Sequence, residues 1–176
     1  MRHVIPVSLV LVATLGIAVR SADAQPSALR AEVQKDWAGM KDTMMKIADA
    51  MPEDTYSFKS TPAQRSYGEQ ILHVANVNLA VLQTVGGNAA PPTINAKATA
   101  KADILKAMSD SFDYGSALIN EHTPETMLQV VKLRFLGEST RARGFYFLLG
   151  HTWDIYGQMA VYLRLNGVVP PASVRP

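Results

Sequence analysis

An apolar stripe near the start of the chain constrains the fold more than any other feature of the sequence. Its members recur at alternating spacings of four and three residues, and they are Val33, Trp37, Met40, Met44, Ile47 and Met51. This spacing places all of them on one face of an α-helix, and the following Pro52 ends that helix. A helix with a single apolar face has to pack against partner elements, so the stripe predicts a helical core.

Two further helices follow in the sequence. Ser66–Glu69 has the form of a capping box and starts a helix that ends at Gly86, with a start one turn earlier at Thr61 as the alternative. The next helix ends before Thr123-Pro124, and it again shows spacings of three and four between Leu105, Met108, Phe112, Gly115 and Ile119.

A fourth long helix starts after Ser139 or Thr140, either of which can cap it, and stops at Asn166-Gly167. Between the third and fourth helices, Met127–Leu136 fits either a short helix or an extended segment, and Val130–Phe135 is the one convincing strand pattern. Four helices of about 20 residues joined by modest loops predict an all-α fold, an up-and-down four-helix bundle.

The first 24 residues have the pattern of a secretory signal peptide. A basic start at Met1–His3 precedes the apolar run Val4–Val19, and Ala22-Asp23-Ala24 has the small-x-small form of a cleavage site. The run is shorter than the roughly 20 residues that a membrane span needs, which makes a retained signal anchor the alternative. We therefore expect an exported, periplasmic domain of residues 25–176 that has no membrane association after cleavage.

Charge and cysteine content exclude several classes of function. Removal of Arg2, Arg20 and Asp23 with the leader leaves 15 basic and 14 acidic residues, with no basic block. This balance predicts no nucleic-acid partner. The chain has no cysteine, which excludes disulfides, thiolate ligands and a cysteine nucleophile. No serine-hydrolase elbow or phosphate-binding loop is present either, and no catalytic residue can be assigned.

Two histidines fall on helix faces that we expect to meet in the core. On the second helix Glu69, His73 and Asn76 form a polar stripe. On the last helix His151 belongs to a seam with alternating spacings, made of Gly144, Leu148, His151, Ile155, Gln158 and Tyr162. Such a pair is either a hydrogen-bonded core group or part of a metal site. His122 lies at the C-terminal end of the third helix, where a positive charge interacts favourably with the helix dipole.

Two segments resemble the signature segments of DinB-like proteins. They are Ser66–Ala75 (SYGEQILHVA) and Gly150–Arg164 (GHTWDIYGQMAVYLR), and Leu165–Ser173 resembles the usual ending of that family. The resemblance covers essentially the whole predicted mature chain. It implies a four-helix bundle, often a homodimer, that holds a divalent ion such as nickel or zinc. In the family three histidines hold this ion, one on the second helix and a His-x-x-x-His pair on the last.

Carried over to this chain, the resemblance gives His73 and His151 as the first two ligands. The third histidine would fall at Ile155, which cannot coordinate a metal. Asp154 lies one position away from the required helix face, whereas Glu69 could complete a set of two histidines and one carboxylate. The expected site is therefore degenerate, and its metal is weakly held or absent.

Three functions remain open on these grounds. The first is an exported relative with a degenerate metal site and an unknown or lost activity. The second, implied by the family, is a metal-dependent transferase or isomerase that uses a low-molecular-weight thiol. The third is a non-catalytic bundle that binds a small-molecule ligand or has a structural role.

Overall fold

The computed structural model describes the backbone of residues 24–174 and the side chains of residues 28–174. The predicted signal peptide lies outside the described residues, except for Ala24, at which the first helix begins. The structure has two single turns of 3-10 helix, Glu53–Thr55 and Pro171–Ser173. Its α-helices are α1 (Ala24–Ala50), α2 (Tyr67–Val85), α3 (Lys101–Glu121), α4 (Pro124–Met127) and α5 (Arg141–Leu165).

The four long helices form a bundle, which confirms the predicted all-α fold class. Around the bundle α3 packs between α1 and α2, and α5 packs between the same two helices on the other side. None of the helices within residues 24–174 is long and apolar enough to cross a membrane.

The helix directions differ from the strict alternation that we expected of an up-and-down bundle. Near the middle of α2, Asn78 donates to the hydroxyl of Ser111 on α3. At the end of α2, the carbonyl of Gly86 contacts the imidazole of His122, which follows α3. These contacts make α2 and α3 parallel, so the long helices run up, down, down and up. The parallel arrangement of α2 and α3 is possible because the loop 86–100 is long enough to return along the full length of α2.

The predicted stripe on α1 is confirmed, and all six of its residues are buried. Its largest member, Trp37, is fully buried, and its indole nitrogen donates a 2.8 Å hydrogen bond to the Phe112 carbonyl. A methyl group at Gly115 would overlap the Trp37 ring, so this glycine gives the indole its space. Trp37 therefore fills the space between α1 and α3.

The predicted capping box at the start of α2 is confirmed. The Ser66 hydroxyl accepts from the Glu69 amide at 3.2 Å, and the Glu69 carboxylate accepts from the Ser66 amide at 2.6 Å. The earlier alternative start is not used, because Thr61 begins an isolated turn instead. At α5 the cap is Thr140, whose hydroxyl accepts from the Arg143 amide.

Of the two conformations predicted for Met127–Leu136, the structure shows the extended one at Val130–Leu133, and only Met127 belongs to a short helix. α4 ends at Met127, and β1 (Val130–Leu133) then pairs antiparallel with β2 (Gly137–Thr140). The sequence pattern did not indicate β2, because four residues that begin with glycine carry too little period-two signal. The hairpin is anchored to α2 by a hydrogen bond from the Arg134 amide to the Thr84 hydroxyl.

Candidate metal site between α2 and α5

The structure brings His73 of α2 and His151 of α5 into direct contact. Their Nε2 atoms are 3.1 Å apart, and both imidazoles are half-buried between the two antiparallel helices. The ring centroids are 5.0 Å apart in an edge-on arrangement. We call these two residues the histidine pair. One nitrogen of each ring therefore faces the other ring across the interface of α2 and α5.

The surroundings of the histidine pair determine which ring donates the hydrogen bond. Nδ1 of His151 is buried and has no hydrogen-bond partner within the described part of the chain. A buried N–H without an acceptor costs about 1–3 kcal/mol, more than a bare lone pair does. We therefore assign the proton of His151 to Nε2, which donates to Nε2 of His73. His73 then carries its own proton on Nδ1.

Both imidazoles are uncharged at neutral pH. Burial lowers the pKa of His73 to about 4, and the positive charge of Arg65 and the contact with His151 add to the decrease. Burial is also the main cause that lowers the pKa of His151, and Asp154 partly opposes it. Neutral imidazoles are the form that binds transition metals, so charge does not prevent the histidine pair from acting as ligands.

The third position of the expected ligand set is filled by a core residue. Ile155 is only 3% exposed and belongs to the apolar core. Asp154 lies on the exposed surface of α5, where its carboxylate accepts a hydrogen bond from Gln158 at 3.2 Å. The structure therefore places no ligand of α5 at this position.

Glu69, the candidate third ligand from α2, already has other partners. Its carboxylate accepts from the Ser66 amide in the capping box and lies 3.5 Å from Nζ of Lys59. The Ser66 hydrogen bond is the main cause that lowers the Glu69 pKa, and Lys59 contributes to it. Among the residues with described side chains, no three from histidine, cysteine, aspartate and glutamate are grouped closely enough to hold a metal.

A resident metal ion would need a suitable protonation of the histidine pair and a third protein ligand. An ion bound to both Nε2 atoms would require His151 to carry its proton on Nδ1, which is buried without an acceptor. A catalytic divalent ion also needs a third protein ligand, and Ile155 occupies that position. The residues present fit a weak site with two ligands, and they do not fit a tightly held catalytic ion.

A second polar contact continues the interface between α2 and α5. Gln70 is fully buried and donates a 2.8 Å hydrogen bond to Oε1 of Gln158, while its own Oε1 has no partner among the described side chains. Gln158 belongs to the predicted seam, whereas Gln70 was not predicted. Its position three residues before His73, on the same helix face, is the signal that could have identified it.

A groove of about 450 Å³ lies against the α2 side of the histidine pair. The predicted polar stripe of α2 lines it with Glu69, His73 and Asn76, and the preceding loop adds Arg65. Apolar lining comes from Leu72, Pro62, Ala63 and Ala96. The sequence reasoning missed Arg65, although its position directly before the Ser66 cap places it at the same end of α2 as Glu69. We call this cavity the His73 groove.

His122 has a separate, structural role. It is 7% exposed, and its Nε2 lies 2.9 Å from the Gly86 carbonyl. Its Nδ1 lies 3.4 Å from the Thr126 hydroxyl. His122 therefore connects the ends of α2 and α3 to α4, away from the histidine pair.

Comparisons with known proteins support one family. The family model described as the DinB superfamily matches residues 36–159, most of the chain. A solved structure of a DinB-like protein from Bacillus cereus matches with a TM-score of 0.70 and 18% sequence identity, and covers 79% of this chain and 93% of that chain. At this identity the structural likeness concerns the fold alone. No curated protein sequence matches the chain.

Proposed function

Because the chain belongs to the DinB superfamily, we propose that it is an exported member whose metal site has been reduced to two histidines. In this proposal the protein has no tightly held ion and no chemistry that depends on one. The leader pattern of residues 1–24 supports export to the periplasm. The protein then acts as a binding bundle, with the His73 groove as its ligand site.

One observation carries this proposal. The histidine pair has the separation of two ligands that share an ion, yet the residue that should complete the site is the buried Ile155. Two imidazoles without a third protein ligand bind a divalent ion weakly. Nickel or zinc should therefore bind at best transiently and at low occupancy.

A gain-of-function substitution tests the proposal. In Ile155→His the new imidazole lies four residues after His151, on the same face of α5 and one turn along. It should raise the occupancy of zinc or nickel towards one ion per chain. It should also raise the melting temperature when metal is added, because an ion that binds only the folded state stabilises it.

Matched variants separate metal binding from a general effect of a buried polar group. Ile155→Asn should lose stability with or without metal, since it removes apolar volume and supplies a poor ligand. Adding His73→Ala to Ile155→His should abolish the metal-dependent gain. If Ile155→His folds only when zinc is present, that result also supports the proposal.

Two outcomes would contradict the proposal. One is an Ile155→His protein whose metal content and melting temperature do not respond to zinc or nickel. The other is a wild-type protein that already holds one ion per chain and loses it in Glu69→Gln. That second result would mean that Glu69 leaves the cap and completes a working site.

A further inference from the structure

Among the described residues, the charged side chains that line the His73 groove are Lys59, Arg65 and Glu69. Lys59 and Glu69 lie 3.5 Å apart and offset each other, and the Asn76 amide donates to the Leu72 carbonyl. Arg65 is an exposed residue, and within residues 28–174 its guanidinium has no hydrogen-bond or ion-pair partner. Arg65 therefore gives the groove a net positive character.

The backbone of Arg65 is held in place by its neighbours. Its carbonyl accepts a 2.7 Å hydrogen bond from the Tyr162 hydroxyl of α5, and the next residue is the Ser66 cap of α2. Arg65 and His73 line the same groove. A guanidinium that extends from an ordered backbone beside a cavity is well placed to bind an anion.

The chemistry of the groove indicates the class of ligand. A guanidinium pairs in a planar, two-pronged manner with the oxygens of an acidic group. Leu72, Pro62 and Ala63 supply an apolar wall beside it, and a volume of about 450 Å³ is in the range of small-molecule sites. An inorganic anion could use the guanidinium but would gain nothing from the apolar wall.

We infer that the His73 groove binds a small organic carboxylate, with the carboxylate on Arg65 and the carbon chain along Leu72 towards His73. This inference rests on the proposed function, because it assigns a ligand class to the same groove. It does not depend on a metal, since Arg65 and Leu72 belong to the protein itself.

A titration followed by NMR tests the inference on the purified protein. Succinate is added with EDTA present at constant pH and ionic strength, and the Cε1–H signals of His73 and His151 are recorded. We expect a saturable shift of the His73 signal with succinate and none with the neutral analogue succinamide. Inorganic phosphate should bind at least about tenfold more weakly than succinate. Arg65→Gln should weaken succinate binding at least about tenfold, because the exchange removes the charged, bidentate partner.

The matched control is Arg134→Gln, which removes an exposed arginine from the hairpin and should leave succinate binding unchanged. Circular dichroism checks that both variants are folded. Three results would overturn the inference: no saturable shift with succinate, equal binding by Arg65→Gln, or phosphate binding as tight as that of succinate. Failure here is separate from failure of the proposed function, because the response of Ile155→His to metal does not involve Arg65.

Discussion

Trp37 and the histidine pair both lie at contacts between bundle helices, but the two contacts differ in how their polar atoms are bonded. Trp37 packs against Phe112 and Phe145 with ring centroids 4.9 and 5.7 Å apart, and its single polar atom is hydrogen-bonded. In the interface of α2 and α5, His151 and Gln70 each keep one buried polar atom without a partner. These are two of the four such atoms among the described side chains.

The two regions differ in how completely their buried polar atoms are hydrogen-bonded. Buried polar atoms are almost always hydrogen-bonded in folded proteins, so two exceptions in one interface need an explanation other than stability. Under the proposed function, the explanation is that this interface serves a ligand site rather than stability. The packing around Trp37 needs none.

The largest effect should come from the packed region. Trp37→Ala should lower the free energy of unfolding by about 3–5 kcal/mol, since it opens a large cavity and removes a satisfied hydrogen bond. The matched control is Trp153→Ala, because Trp153 is 54% exposed, and it should cost less than about 1 kcal/mol. Urea denaturation measures both. Equal losses of stability in the two variants would mean that Trp37 is not part of a packed core, and this would contradict the contrast between the two regions.

The histidine pair should contribute less to the free energy of unfolding than Trp37 does. The effects of replacing its two members should not be additive. His151→Leu alone should cost about 1–2 kcal/mol, because it leaves Nε2 of His73 without its donor. The double variant His73→Leu with His151→Leu should cost less than the sum of the two single changes, by about 0.5–1.5 kcal/mol. A double-mutant cycle in urea gives this coupling. Strict additivity would mean that the two rings do not interact in solution.

A smaller effect should appear in the pH dependence of stability with EDTA present. In the unfolded chain the pKa of His73 is near 6.5, and burial lowers it to about 4 in the folded protein. Between these values the unfolded state binds more protons, so stability falls as the pH decreases from about 6.5 to 4. Because the ring is partly exposed, solvent screening limits the loss to about 1 kcal/mol.

Carboxylates also titrate near the lower end of this range, so the measurement is the difference between wild type and the double leucine variant. Wild type should lose stability relative to that variant as the pH decreases. A difference that stays constant would place His73 in an exposed environment, and one with the opposite sign would mean that folding raises its pKa.

Much of the fold could be predicted because its signals are local. The stripe on α1 depends only on helix periodicity, and the capping box at Ser66 needs only a few neighbouring residues. The parallel direction of α2 and α3 could not be derived in this way. It depends on the path of the loop 86–100, whose sequence does not specify a direction.

The candidate site was predictable in its residues but not in its bonding. Helix faces and the family resemblance indicated His73 and His151, and the structure brings them together. The position of the proton on His151 depends on which buried atoms find a partner. Such pairings between distant segments have no signature in a single sequence. The contact between Gln70 and Gln158 is of the same kind, since it joins two helices that are far apart in the chain.

The most direct test of a site reduced to two histidines is the metal content of the wild-type protein. The protein would be purified without a His-tag, equilibrated with zinc or nickel, passed over a desalting column and analysed by inductively coupled plasma mass spectrometry. We predict an occupancy well below one ion per chain, and a similar value for His73→Ala. Retention of one ion per chain by wild type, with loss of that ion in His73→Ala, would contradict the account.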